Sequence, residues 1–456
     1  MDGKLFHPDS CPCSRDELNL FDVPMTQTSI TRSRYVKYHP VNSLEGEGPL
    51  EFQVVSGKDE YLDLFNSILF IECSIVAEDG SRLPEAADGQ PPDTKSICWP
   101  INYFHATQFK QVQVHLNGTL VSSSDNMYPY RAYLEALTSY SPAVKNNQLR
   151  AGLFYMDDEN MHEHKNVSGD AEHNSGAFAR YSITSSSQVF QTFGKIHNDL
   201  FNQRRFLLPF SHLSLRLIRN NYKFYMMAAD PSMSYRVNYH KAILYVRQCD
   251  VEHEFSSNLL KQVSLKKDGA KYPVERVVAK FFTKGPNRND LSVPNLIEGD
   301  FPKRIICGMV LSRGFNGDVE FNPLAFENFK VQNITLRRNG VAVPFETLRL
   351  DFSTGGNGYF EGYLAFLQGS GLLFSDQTNG IDPAAWKSGS TLFVFDLTAD
   401  ESFSTESVNL SNEGKVGLEL TLADPSTQSI TLVVLACYDD MITVDGTNQV
   451  KYARDK

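Results

Sequence analysis

The run Met161-His162-Glu163-His164, with His173 close behind, has the residue types of a metal site. An H-x-H pair with a Glu and a more distant His holds a divalent cation when all of them project from rigid strands into one cavity. Here they fall in a polar stretch rich in Asn, Ser, His and Glu, where ligand type is right and placement is not. No metal site is expected there. Cys11-Pro-Cys13 offers two thiols near the N-terminus, but zinc needs further ligands and no second cysteine pair exists. A disulfide between residues so close would be strained. The chain has no G-x-S-x-G elbow and no Gly-Lys-Ser/Thr phosphate loop. Its Gly-rich run Ser353-Thr-Gly-Gly-Asn-Gly358, between Phe352 and Tyr359, reads as a turn. No catalytic, cofactor-binding or metal-binding residues are therefore expected, and no enzyme.

The elements that would position any chemistry lean towards β-structure. Of 456 residues, 31 are Phe and 20 are Tyr, types that favour pleated, half-buried surfaces. The formal charge is −11, and Lys and Arg never run beyond adjacent pairs. A protein that grips nucleic acid by neutralising phosphates shows a basic stripe or tail, so tight nucleic-acid binding is not the expected role. The 7 cysteines are scattered, which points to a reducing compartment and free thiols, not a disulfide framework. No apolar run reaches the ~18 residues of a membrane span, and the N-terminus has no signal-like apolar core. The sequon matches at Asn117, Asn166, Asn333 and Asn409 are accordingly expected to be unused.

Period-two patterning runs through the chain. Val112, Val114 and Leu116 alternate with polar residues and end at Asn117-Gly118, the strongest short hairpin signal. Leu213 to Leu217, Leu348 to Phe352 and Val416 to Leu422 alternate likewise. Ala242 to Val246 and Ile430 to Cys437 are continuous apolar runs, suited to central strands covered on both faces. The best helix candidate is Tyr130 to Thr138, after Pro129. Asp157 to Gln188 has little to bury and reads as a long exposed loop. The first residues, to about Ser33, read as an arm.

Four landmarks recur in order. The Asn-Gly pairs at 118 and 340 are 340 − 118 = 222 apart. Tyr133 and Tyr363, each in an aromatic-rich segment, are 363 − 133 = 230 apart. Leu213-Ser-Leu-Arg-Leu217 and Val416-Gly-Leu-Glu-Leu420 are 416 − 213 = 203 apart, and the strands ending at Asp250 and Asp439 are 439 − 250 = 189 apart. Ordered landmarks with slowly drifting offsets mark a duplicated unit of roughly 200 residues, the size of one all-β domain. The expected layout is an N-terminal arm over 1–35, a first unit over 36–255, a linker over 256–270 and a second unit over 271–456. The class is all-β, with two tandem eight-stranded jelly rolls and few short helices.

Asp22-Val-Pro-Met-Thr-Gln-Thr-Ser-Ile30 and the segment Val112 to Leu134 resemble major capsid (hexon-like) proteins of Polinton/Maverick elements and adintoviruses. So do Lys271-Tyr-Pro-Val-Glu-Arg-Val-Val278, Phe301-Pro-Lys-Arg-Ile-Ile306 and Thr391-Leu-Phe-Val-Phe-Asp-Leu-Thr398. The similarity runs from about Leu20 to Tyr452. It implies a double jelly-roll capsid protein that forms homotrimeric, pseudo-hexameric capsomers. These would tile an icosahedral shell around double-stranded DNA, beside a penton or minor capsid partner. It further implies a virion protein made in host cytoplasm and assembled in the host nucleus. The arm would tie neighbouring tiles or face the interior, and Asp157 to Gln188 and Ser375 to Ser390 would lie on the outer face. The rival is a cellular carbohydrate-binding or cupin-like tandem β-sandwich, which a metal or sugar bound at one barrel would favour.

Overall fold

The computed structural model describes residues 7–11, 13–84, 97–122, 125–162, 173–353, 358–403, 408–410 and 412–452. Beside a short ribbon of Cys98–Pro100 with Met226–Ala228, eight strands of the first half build its main sheets: β1 (Ile30–Tyr38), β2 (Leu50–Val55), β3 (Glu60–Ala77), β4 (Phe109–Leu116), β5 (Thr119–Leu120), β6 (Phe190–Gly194), β7 (His212–Arg219) and β8 (Tyr235–Val251). They form two sheets, in the orders β1-β8-β3-β6 and β2-β7-β4-β5. The second half repeats this with β9 (Ala270–Lys284), β10 (Asp290–Asp300), β11 (Arg304–Leu311), β12 (Val331–Arg338), β13 (Val341–Ala342), β14 (Leu392–Asp396), β15 (Glu413–Leu422) and β16 (Ile430–Val444). Its sheets are ordered β9-β16-β11-β14 and β10-β15-β12-β13, with the short strands Val450–Tyr452 and Leu348–Arg349 pairing β16 and β12 off those paths. Adding eight to each label of the first half gives the second. All of these pairings are antiparallel. In each half the eighth strand lies between the first and third, and the seventh between the second and fourth. That is jelly-roll connectivity, twice.

The alternating segments are strands with one buried face. Leu213, Leu215 and Leu217 on β7 are buried, as are Val416, Leu418, Leu420 and Leu422 on β15. The continuous apolar runs lie in β8 and β16, each hydrogen-bonded along both edges. Position in the sheet explains the pattern, since a central strand covered on both faces has no side for polar residues. The strand β1 begins at Ile30, inside the segment expected to be arm. Its sequence Thr-Arg-Ser-Arg-Tyr is largely exposed, as edge strands tend to be, so no apolar alternation marks it.

Both Asn-Gly pairs turn as the hairpin signal requires. Asn117 and Gly118 have φ of 50° and 84°, and Asn339 and Gly340 have 50° and 86°, the left-handed pair of a type I′ turn. Each asparagine is also stitched to the start of a neighbouring strand. The Asn117 amide donates to the His212 carbonyl at 2.8 Å, and its Oδ1 accepts from the His212 amide at 2.9 Å. Asn339 makes the same two bonds with Lys415, at 2.8 and 2.9 Å.

Helices fill the connections between strands, among them α1 (Tyr128–Ser139), α2 (Ser175–Thr184), α3 (His253–Leu265), α4 (Phe360–Gly369) and α5 (Pro383–Lys387). The expected helix is α1. One expectation is corrected. Over its described residues Asp157 to Gln188 is not a long exposed loop: it holds α2, and Asn174, Arg180 and Ser187 are buried. Ser375 to Ser390 holds α5, with Trp386, Asn379 and Ser390 buried. Most of the join between the halves is α3, capped by Glu252, whose carboxylate accepts from the Glu254 and Phe255 amides at 3.0 and 2.7 Å. Beyond it Gly269 has φ of 63°, and a Cβ there would lie 2.1 Å from the Val444 carbonyl oxygen. Only glycine satisfies both conditions.

If each asparagine ties its hairpin to the seventh strand, Asn117→Ala and Asn339→Ala should each lower stability by about 1–3 kcal/mol. Denaturant melts of the purified protein check this, and two unchanged midpoints would show the stitch to be dispensable.

Candidate functional site

Of the residues that suggested metal chemistry, the structure describes His162 and His173. His162 is buried, with its imidazole against Gly389, where a Cβ would meet the ring at 2.0 Å. His173 packs edge-on to Phe178 at 5.2 Å between centroids. Glu163 and His164 lie outside the described residues. Among the described residues no group of three or more His, Cys, Asp or Glu could hold a metal ion. Cys11 and Cys13 are exposed and free, and the other five cysteines are buried and free. Burial pushes the thiols of Cys98, Cys307 and Cys437 up to about 12, leaving them protonated and unreactive. Around the Gly-rich run, the Asp351 amide donates to the Gly358 carbonyl at 3.1 Å, so its flanks pair as a turn's do. Residues 354–357 lie outside the described residues.

One buried constellation does have the residue types of acid–base chemistry. Helix α1 presents Arg131 and Glu135 one turn apart, with Arg131 Nε 2.8 Å from Glu135 Oε1. Arg131 Nη2 lies 2.6 Å from Asp199 Oδ1. Glu135 Oε2 takes His197 Nδ1 at 2.8 Å, and His197 Nε2 meets the Tyr103 hydroxyl at 2.7 Å. A proton on Nδ1 faces the carboxylate, which leaves Nε2 to accept from Tyr103. Burial alone would raise the Glu135 carboxyl, but the Arg131 charge and the His197 hydrogen bond outweigh it and hold it below the usual carboxylate range. For Asp199, which shares that guanidinium, burial prevails and raises it. The void beside this chain is about 10 Å³, at the limit of what one water occupies. No substrate reaches it. The network is structural, holding α1 against the loop after β6.

A second polar cluster sews the two halves together. Arg180, fully buried on α2, donates to the Pro100 carbonyl at 2.9 Å and pairs with Asp157 at 2.6 Å. Asp157 also accepts from Asn174 at 2.9 Å and, from the second half, Asn322 at 3.3 Å. The Asn160 amide donates to Ser388 Oγ, which donates back to Asn160 Oδ1, both at 2.8 Å. Nearby, Lys145 Nζ donates to the Leu137 and Asn379 carbonyls at 2.6 and 2.7 Å. No carboxylate pairs with it among the described residues, and burial depresses its ammonium to about 7. These residues are far apart in sequence, and no local motif announces them. An open cleft of about 840 Å³ also lies between the halves, walled by Tyr130, Phe281 and Phe315, with Lys280 turned to the Leu296 carbonyl at 3.0 Å. It gathers no reactive constellation, so the surfaces of the molecule are the candidate site.

Comparison with known proteins agrees. No protein-family model matches the chain. An uncharacterized protein of Caenorhabditis elegans is 27% identical over 384 residues, covering 82% of this chain and 86% of that protein. Among solved structures, a chain of the Sputnik virophage superposes with a TM-score of 0.64 at 10% identity, over 100% of this chain and 96% of that one. A chain of the PBCV-1 capsid gives 0.56 at 10% identity, over 96% and 100%. The mavirus major capsid protein gives 0.52 at 10% identity, over 99% and 96%. This chain is a double jelly roll. The likeness spans both rolls, so the pairing of the two sandwiches is shared along with each sandwich. Within the double jelly roll, the sealed Arg131 network and the Asp157–Arg180 cluster are supports for the architecture.

Arg131→Met leaves two buried carboxylates without their cation and should cost about 3–5 kcal/mol. A thermal melt unchanged from wild type would sink that role. Lys145 has its own pH signature. Its folded value near 7 lies below the ordinary 10.5, so the unfolded chain binds more protons between those values. Stability should therefore rise with pH from about 7 to 10, by at most about 1.4 kcal/mol per unit. The rise should be smaller in Lys145→Met, compared by denaturant titration at pH 7 and 9.

Proposed function

We propose that this protein is a major capsid protein whose work is assembly. The observation that carries the reading is the paired architecture, two rolls of identical strand order fixed side by side in one chain, which the compared capsid structures share. Each roll offers a similar corner, and three chains in a closed ring offer six, which suits a hexagonal lattice position. The finer parts of the proposal follow from that arithmetic and from the family resemblance: a homotrimeric tile, an icosahedral shell around double-stranded DNA, a penton or minor partner at the five-fold positions, and assembly in the host nucleus. The charge of −11 suits a container wall that encloses nucleic acid without gripping it. The layout proposed is an arm, a first roll, a helical join and a second roll. The nematode relative supports an element resident in an animal genome as one source of such chains.

Light scattering after size exclusion tests the reading. The expected result is a species near three times 51.4 kDa, or shells, with hexagonal outlines in negative stain. A strict monomer at high concentration, under every salt condition tried, would overturn it.

A further inference from the structure

We infer that the N-terminal arm of one copy docks in the basic, apolar groove that a second copy forms between α3 and its second roll. This rests on the capsid reading and names the contact that would join one chain to the next. The arm carries an unburied apolar stripe: Leu18, Leu20, Phe21, Val23 and Met25 are between 69% and 103% exposed. Interleaved with them are Asp16, Glu17 and Asp22, and no basic residue falls between Asp16 and Met25. An extended segment with that composition is hydrophobic along its length and negative overall. Left in water it forfeits the burial of five large apolar side chains.

The groove has the opposite character. It is an open cleft of about 690 Å³, floored by apolar side chains that include Phe255 and Leu259 of α3. Its rim carries Arg204, Arg205, Lys266 and Lys271, and no Asp or Glu lines it among the described residues. Of these, Arg205 bonds the Lys271 carbonyl at 2.7 Å, and Lys271 also meets Asp268 at 3.3 Å on its exposed side. Four cations without a lining carboxylate stand out in a chain of charge −11. Apolar floor and basic rim are what the arm's apolar stripe and acidic residues require.

The geometry at the arm's root selects a second copy over the arm's own chain. Ser29 and Ile30 line the groove themselves. There Gln27 Oε1 accepts from the Ile30 amide at 2.7 Å and the Ser29 hydroxyl at 2.8 Å, while its Nε2 donates to the Ile30 carbonyl at 3.1 Å. This clamp ties the root down, and residues 13–28 before it are exposed and do not fill the groove of their own chain. After the 3-10 turn Asp16–Leu18, the seven residues from Asn19 to Met25 reach about 23 Å when extended, enough to cross to a neighbour. Passed around a ring, each arm fills the next groove and the contact closes on itself.

The test uses the full chain with Cys11→Ser and Cys13→Ser, adding Met25→Cys on the arm and Gln262→Cys on the exposed side of α3. Mild oxidation should give chain-to-chain disulfides on a denaturing gel, with a yield that falls about tenfold in Arg204→Glu/Lys266→Glu or in 1 M salt. A cross-link confined within single chains would overturn the second-copy assignment. Light scattering on the same sample separates the two readings. Trimers or shells without interchain cross-links would overturn the arm proposal alone, and monomers without them would overturn both.

Discussion

Two sandwiches in one chain keep a fixed relation only if neither can rotate against the other, and helix α1 meets that requirement. Ten of its residues are buried, and its faces point into different halves of the molecule. Arg131 and Glu135 hold the first roll through Asp199 and His197. Tyr130 stacks on Phe315 at 5.6 Å and donates to the Pro323 carbonyl at 3.1 Å, and Tyr133 stacks on Phe326 at 6.3 Å. Aromatic contacts supply area on the second-roll side, and charge-assisted hydrogen bonds supply direction on the first-roll side. One helix therefore fixes the angle between the two rolls.

Each sandwich in turn depends on its last strand. Because β8 lies between β1 and β3, and β16 between β9 and β11, the inner edges of those neighbours have no partner until the final strand arrives. Such pairing is distant in sequence, and its loop-closure cost precedes its reward. The apolar runs in β8 and β16 are the compensation, since strands buried on both faces return the most burial per residue. The second roll adds an aromatic centre around Trp386, which stacks on Phe352 and Tyr359 and donates Nε1–H to the Leu392 carbonyl at 2.9 Å.

Much of the fold is legible in the sequence, because period two, hairpin chemistry and duplication are local signals. All four repeated landmarks fall on equivalent elements: the β4–β5 and β12–β13 hairpins, helices α1 and α4, strands β7 and β15, and strands β8 and β16. What escapes is equally physical. Helix α2 buries Gly176, Ala177, Arg180 and Thr184, a face of small and polar residues that a hydrophobic reading treats as solvated. Helix α3 buries only Ser256 and Val263, too little to distinguish it from a linker. The polar clusters at the seam join residues more than a hundred positions apart, and spacing carries no trace of them.

The seam itself follows from the duplication. In both rolls the longest excursion leaves after the fifth strand and returns at the sixth, so the copied unit places two insertions at the same topological position. Three contacts between the halves join these insertions directly: Lys145 with Asn379, Asn160 with Ser388, and His162 against Gly389. The two have since diverged in length. The landmark offset falls from 230 at the tyrosines to 203 at the seventh strands, a difference of 230 − 203 = 27 residues gained in the first copy or lost from the second. That interval of the first copy contains Asp157 and α2, whose Arg180 pairs with Asp157 in the clasp reaching Asn322 of the second roll. At this seam the longer insertion brings Lys145, Asn160 and His162, and the shorter one the Asn379 carbonyl, the Ser388 hydroxyl and Gly389 that meet them.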